Sequence, residues 1–182
     1  MSGKRLALYT FGLFRVPADT GVNDGFRDRN DDVFVEVERC AGFIARSGYA
    51  DEPGPESWGL QVYPRFYVER GDGWSPSTLS LWQTPEAAMA FSYGGLHAEA
   101  MRHARDWFDK PAFPPYALWW VEDGHVPTWS QAVERHEHLH DHGPSAFAFD
   151  FRTVHDPEGR LAELDRDLAK RLKQMNHRRA ET

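Results

Sequence analysis

The stretch Thr84 to Thr128, TPEAAMAFSYGGLHAEAMRHARDWFDKPAFPPYALWWVEDGHVPT, decides how the rest of the chain reads. Thr84 is a good helix cap, Pro85 suits the first helical position and Glu86 the first turn. At about 100° per residue, Met89, Tyr93, Leu96, His97, Ala100, Ala104, Trp107 and Phe108 share one face of a helix running to Phe108, which turns His97 inward. PAFPP at 111–115 ends that helix, and YALWWVE from Tyr116 has the apolar density of a central strand. Gly124 to Pro127 make a turn, Thr128 opens another helix, and Gly143-Pro144 closes it.

Upstream, LALYTFGLFRV at 6–16 reads as a first strand with Leu6, Leu8 and Phe14 on one side, followed by a polar loop from Pro17. Residues 33–47 fit either a strand or a helix; their length and the preceding Asn-Asp-Asp favour a helix closed by Gly48. Residues 58–70 alternate Trp58, Leu60, Val62, Phe66 and Val68 against polar neighbours, a half-buried strand that Pro64 places at an edge. It is expected to form a hairpin with a strand at 78–83. Downstream, AFAFDF ending at Phe151 alternates like a strand with Phe147, Phe149 and Phe151 on one face, and 157–178 carries the leucine spacing of an amphipathic terminal helix.

These elements predict an α+β domain with the ferredoxin-like order βαββαβ, extended by a helix, a strand and the C-terminal helix. At 182 residues, a single domain over 1–182 is the expectation. With helices on one sheet face, the aromatic other face needs cover, and a second copy of the chain is the simplest source, which predicts a homodimer.

Composition narrows the partners. A net charge of −7 and a pI near 5.7 argue against nucleic acid, whose phosphates need a basic face. No apolar run approaches the ~20 residues of a membrane span, no leader pattern precedes Leu6, and a lone Cys40 suits a reducing compartment, so a cytoplasmic protein with a small-molecule ligand is expected. Glycine-rich phosphate loops, the Gly-x-Ser-x-Gly elbow and the His-Glu-x-x-His pair do not occur.

The motifs LSLWQTPEAAMAFSYGGLHAEAMRHARDWF, ALWWVEDGHVPT and HGPSAFAF, in that order and spacing, resemble the bacterial family DUF3291. The resemblance covers roughly the last two-thirds of the domain up to Phe151 and is loose before it. It places the chain with the dimeric α+β barrels that include the antibiotic-biosynthesis monooxygenases. It implies dimerisation through the sheets and a cavity between sheet and helices, and it does not imply one reaction. His97 matches the histidine of the family's helix motif, a position that binds haem in some members of that superfamily. The Tyr93-Gly94-Gly95 run ahead of it departs from the family pattern.

The residues admit more than one reading. His97 can serve as a base, as a haem ligand, or as a core histidine bonded to a carbonyl. Gly94 and Gly95 would let a flat ligand approach, or equally let helices pack closely. Tyr93, one turn earlier, could share a ligand with His97. Trp107, Trp120, Arg65 and Met101 complete the expected pocket, with Arg65 either gripping a carboxylate or standing solvated. Trp119 and Trp120 must face opposite sides of their strand. His125 is expected to hold its turn. Of the run His136, His138, His140 and His142, no more than two can meet one ion, so an exposed polar helix end and no metal site are expected. Cys40 reads as an inert small hydrophobe.

The leading expectation is a monooxygenase-like oxidoreductase acting on a small apolar or aromatic molecule between the sheet and helix 85–108. His97 and Tyr93 are its catalytic candidates, and the cofactor is left open between haem on His97 and none. The alternative is a non-catalytic protein that holds a hydrophobic ligand or haem in the same place. The blandest is a dimer whose cavity is filled by its own side chains.

Overall fold

The computed structural model describes residues 3–180. Its centre is a four-stranded sheet of β1 (Lys4–Phe11), β2 (Phe43–Arg46), β3 (Ser77–Trp82) and β4 (Tyr116–Glu122), in the order β2-β3-β1-β4 with every neighbouring pair antiparallel. Between the strands run α1 (Asp24–Glu38), α2 (Pro85–Ser92), α3 (Gly95–Arg102) and α4 (Ala104–Trp107). After β4 come α5 (Trp129–His142), a small hairpin of β5 (Val154–His155) and β6 (Leu161–Ala162), and α6 (Arg166–Ala180).

The period-2 pattern of β1 sets up two cores. Leu6 and Leu8 point to one face with Trp82 and Leu118, where Val37 of α1, Ala87 and Ala88 of α2, and Leu172 of α6 cover them. Ala7, Tyr9 and Phe11 point to the other with Leu79, Leu81, Trp119 and Val121. This second face is the one expected to need a partner. The chain covers it with its own Trp129 and Ala132 from α5 and with Trp58, Val62, Tyr63 and Phe66 from the long segment 47–76.

That segment is where sequence and structure part most clearly. The expected strand 58–70 is irregular chain, and β3 takes its hairpin partner from 43–46 instead. Gly59, Gly71 and Gly73 have left-handed φ, and the Glu69 carboxylate accepts the Gly71 and Gly73 N–H groups, so local bonds replace a ladder. The alternation survives as aromatic anchors thrown onto the sheet. Helix α1 begins at Asp24, inside the expected loop, and ends before the expected helix 33–47 is half complete. Gly48 closes no helix: its backbone runs so near Pro55 that an added Cβ would lie 1.6 Å from the Pro55 oxygen.

The long helix expected from 85 to 108 is three pieces. Its start holds, with Thr84 Oγ1 accepting the Ala87 N–H. It breaks after Ser92, because Gly94 is extended and Gly95 takes φ +49°; two glycines each forgo about 1 kcal/mol of helix preference. The AFAFDF segment makes only isolated bridges, Leu118 to Phe149 and Asp150 to Thr153, since Asp150 Oδ1 accepts the Arg152 and Thr153 N–H groups and turns the chain. Phe147 therefore leaves the company of Phe149 and Phe151. The terminal helix starts later than 157, where Asp165 caps it through the Leu168 N–H.

Thr128 and Gln131 form a reciprocal capping box at the start of α5. Thr128→Ala is expected to lower stability by about 1 kcal/mol, readable as a shift in the urea midpoint. Trp119 and Trp120 do face opposite sides, one in each core.

Candidate functional site

His97 is half-buried near the start of α3, and its ring lies 5.0 Å from that of Phe91. Nδ1 stands 2.8 Å from the Ser92 carbonyl. A carbonyl only accepts, so Nδ1 carries the proton and Nε2 the lone pair when the ring is neutral. Burial lowers the pKa of His97, partly offset by that carbonyl and by Glu36.

The break after Ser92 separates the expected constellation. Tyr93 turns away from His97 toward Phe151, ring centres 6.1 Å apart. Trp107 is buried in a satellite core with Phe14 and Phe26, and Trp120 donates Nε1–H to the His155 carbonyl at 2.7 Å. Met101 is exposed. Arg65 spends its guanidinium on Asp141 and Glu137 of α5, fastening the 47–76 segment to that helix. These residues do not gather around His97. Nor do Gly94 and Gly95 leave room for a flat ligand: a Cβ on Gly95 would lie 1.9 Å from Glu36 Oε1, and one on Gly94 would meet the Ala90 carbonyl and Lys173. The Glu36 carboxylate sits there because it accepts the Leu96 N–H.

The histidine run is corrected in one member. His136 is fully buried, not exposed, with Tyr9, Phe11, Phe66 and Phe113 around its ring. Its Nε2–H donates to the Pro114 carbonyl at 2.5 Å, and burial lowers its pKa. His125 Nε2 meets the capping Gln131 at 3.3 Å. Among the described residues no group of three His, Cys, Asp or Glu is placed to hold a metal ion. No described helix is long and apolar enough to cross a membrane. Cys40 is buried, and burial raises its thiol to about 12.

What does form a concave site is the ground in front of Tyr93. A groove of about 670 Å³ lies between the end of α2, the start of β4 and the start of α6. Met89, Tyr93, Pro114, Pro115, Tyr116 and Phe151 form its walls. Tyr116 and Phe151 lie 5.0 Å apart, and the Tyr116 oxygen accepts the Phe151 N–H. Burial raises the Tyr116 phenol well above its ordinary value, so it stays a neutral hydroxyl. Asp150, Arg152 and Arg166 line it as well. Of these, only Tyr93 was singled out from sequence. Arg166 was not singled out because the helix that it opens was expected to begin at 157.

The DUF3291 family, described as a domain of unknown function, matches residues 5–165. The chain belongs to the DUF3291 family. No curated protein matches it. Among solved structures, the DUF3291 chain is similar to the crystal structure of the NE2512 protein of unknown function from Nitrosomonas europaea. That likeness covers 70% of this chain and 94% of the other, at 12% identity and a TM-score of 0.37.

Proposed function

We propose that this DUF3291 domain is a non-catalytic small-molecule-binding protein that receives a flat aromatic ligand in the groove of Tyr93, Tyr116 and Phe151. The observation that carries the reading is the convergence of three aromatic rings and a methionine on one open concavity, with Asp150, Arg152 and Arg166 in the same lining. That is the usual make-up of a ligand site, with apolar walls for affinity and few polar groups for orientation. The strand order β2-β3-β1-β4 supports a ferredoxin-like arrangement beneath it. A dimeric barrel joined through its sheets would need the second face free, and that face carries α5 and the 47–76 segment.

The test is a fragment titration followed by amide NMR. Aromatic fragments are expected to shift residues 89–93, 114–116 and 150–152 together. Tyr93→Ala should weaken binding by about 1 kcal/mol, roughly fivefold in Kd, with little loss of stability because Tyr93 is half exposed. Shifts scattered over the surface, or none, would overturn the reading.

One observation favours the oxidoreductase reading: the His97 tautomer leaves Nε2 with the lone pair a base needs. Glu36 and Lys173 crowd Gly94 and Gly95, which takes away the glycine gap through which a flat haem was expected to approach. A cofactor-free oxidoreductase would lose turnover in His97→Ala while the groove kept its ligand; a binding protein would show no turnover in either form.

A further inference from the structure

Arg152 and Arg166 line one groove, yet among the described residues neither is paired with a carboxylate. Several other arginines are held by acids, among them Arg65 on Asp141 and Glu137, Arg160 on Asp156 and Glu158, and Arg46 on Glu38. Acids do lie nearby. Glu163, Asp165 and Asp167 line an adjoining hollow that also touches Arg152 and Arg166. Asp165 is committed to other work, its carboxylate capping the Leu168 N–H and its own N–H donating to Glu86. Asp150 is likewise occupied, its Oδ1 accepting two backbone N–H groups. Two guanidinium groups without carboxylate partners therefore line the same groove, and a bound anion would supply both with one.

We propose that the ligand of this groove is an aromatic monocarboxylate, its ring against Tyr93, Tyr116 and Phe151 and its carboxylate between Arg152 and Arg166. The inference rests on the reading of the groove as an aromatic-ligand site and adds the charge. Guanidinium forks match the two oxygens of a carboxylate, which fixes the ligand's direction as well as its sign. A single negative charge suits the site better than a dianion. Against the two arginines the groove already carries Asp150, so its lining has one net positive charge, and the acids of the adjoining hollow would oppose a second negative charge.

The experiment is calorimetric titration of the full chain with 2-naphthoate and with 2-naphthamide, which has the same shape and no charge. In the unaltered protein the acid should bind at least about tenfold more tightly than the amide, the order expected of a charge-assisted pair, and added salt should narrow the gap. In Arg152→Gln/Arg166→Gln the gap should close, with the amide unaffected. Both arginines are exposed, so the double variant keeps its core. Equal binding of acid and amide in the unaltered protein overturns the charge assignment while leaving the aromatic groove standing. An acid preference that survives the double variant also overturns it. If neither compound binds, the groove reading and the charge assignment fall together.

Discussion

Trp129→Ala is expected to destabilise the protein by about 3–5 kcal/mol, a fall of roughly 6–20 °C in melting temperature for a chain of this length. Trp129 is fully buried and joins three parts of the fold. It packs edge-on to Tyr9 of the sheet at 6.3 Å and stacks on Tyr49 at 5.8 Å. Its indole N–H reaches Ser57 Oγ, and its backbone N–H donates to the Trp58 carbonyl. Removing the ring therefore opens a cavity and releases the start of the 47–76 segment from α5. Urea unfolding gives the magnitude, and amide exchange should quicken across 47–58 more than in α2. A loss under about 1.5 kcal/mol, well below the range for a buried large-to-small change, would mean that the segment adheres without its anchor.

Stability should also fall as pH drops below about 6.5, and the direction follows from two histidines. Burial holds both His97 and His136 below their ordinary pKa, with carbonyl hydrogen bonds opposing the shift without cancelling it. In the unfolded chain each titrates near about 6.5. Above that pH neither state binds the proton, and the stabilising difference is fully present. As pH falls, the unfolded chain takes up protons that the folded chain refuses, so stability drops by up to about 1.4 kcal/mol per pH unit for each histidine until the lowered folded pKa is reached. Urea midpoints measured across this window should show the slope, and His136→Gln should flatten it while lowering stability at neutral pH. The lowered carboxyls of Asp72, Asp141 and Asp156 add their own loss only at more acidic pH. A midpoint that does not fall as pH drops below about 6.5 would overturn the assignment.

Elements whose signals were local and unopposed were legible in the sequence. Thr84-Pro85 and Thr128 start helices where their caps said, Gly143 ends one, and YALWWVE is a strand, though at the edge of the sheet beside β1 rather than at its centre. The misreadings came where side chains bond their own backbone. Asp150 turned an alternating Phe run into a bend, Glu69 and three glycines unmade a strand, and Gly94-Gly95 cut a helix whose apolar face looked continuous. That last cut decided the site. A single helix would have aimed Tyr93 and His97 at one ligand; the break sends Tyr93 to Phe151 and His97 to the Ser92 carbonyl. Arg152 and Tyr116 carried no sequence signal, because their meeting depends on the turn at Asp150.

The cover on the second sheet face has a consequence for how the molecule assembles. A sheet buried on both sides by its own chain closes in a first-order step, with the 47–76 segment tethered at both ends and so held at high effective concentration. Where a neighbour supplies that cover, dilution unfolds the protein. Cover supplied by the chain itself therefore predicts a melting temperature that stays the same as the protein is diluted.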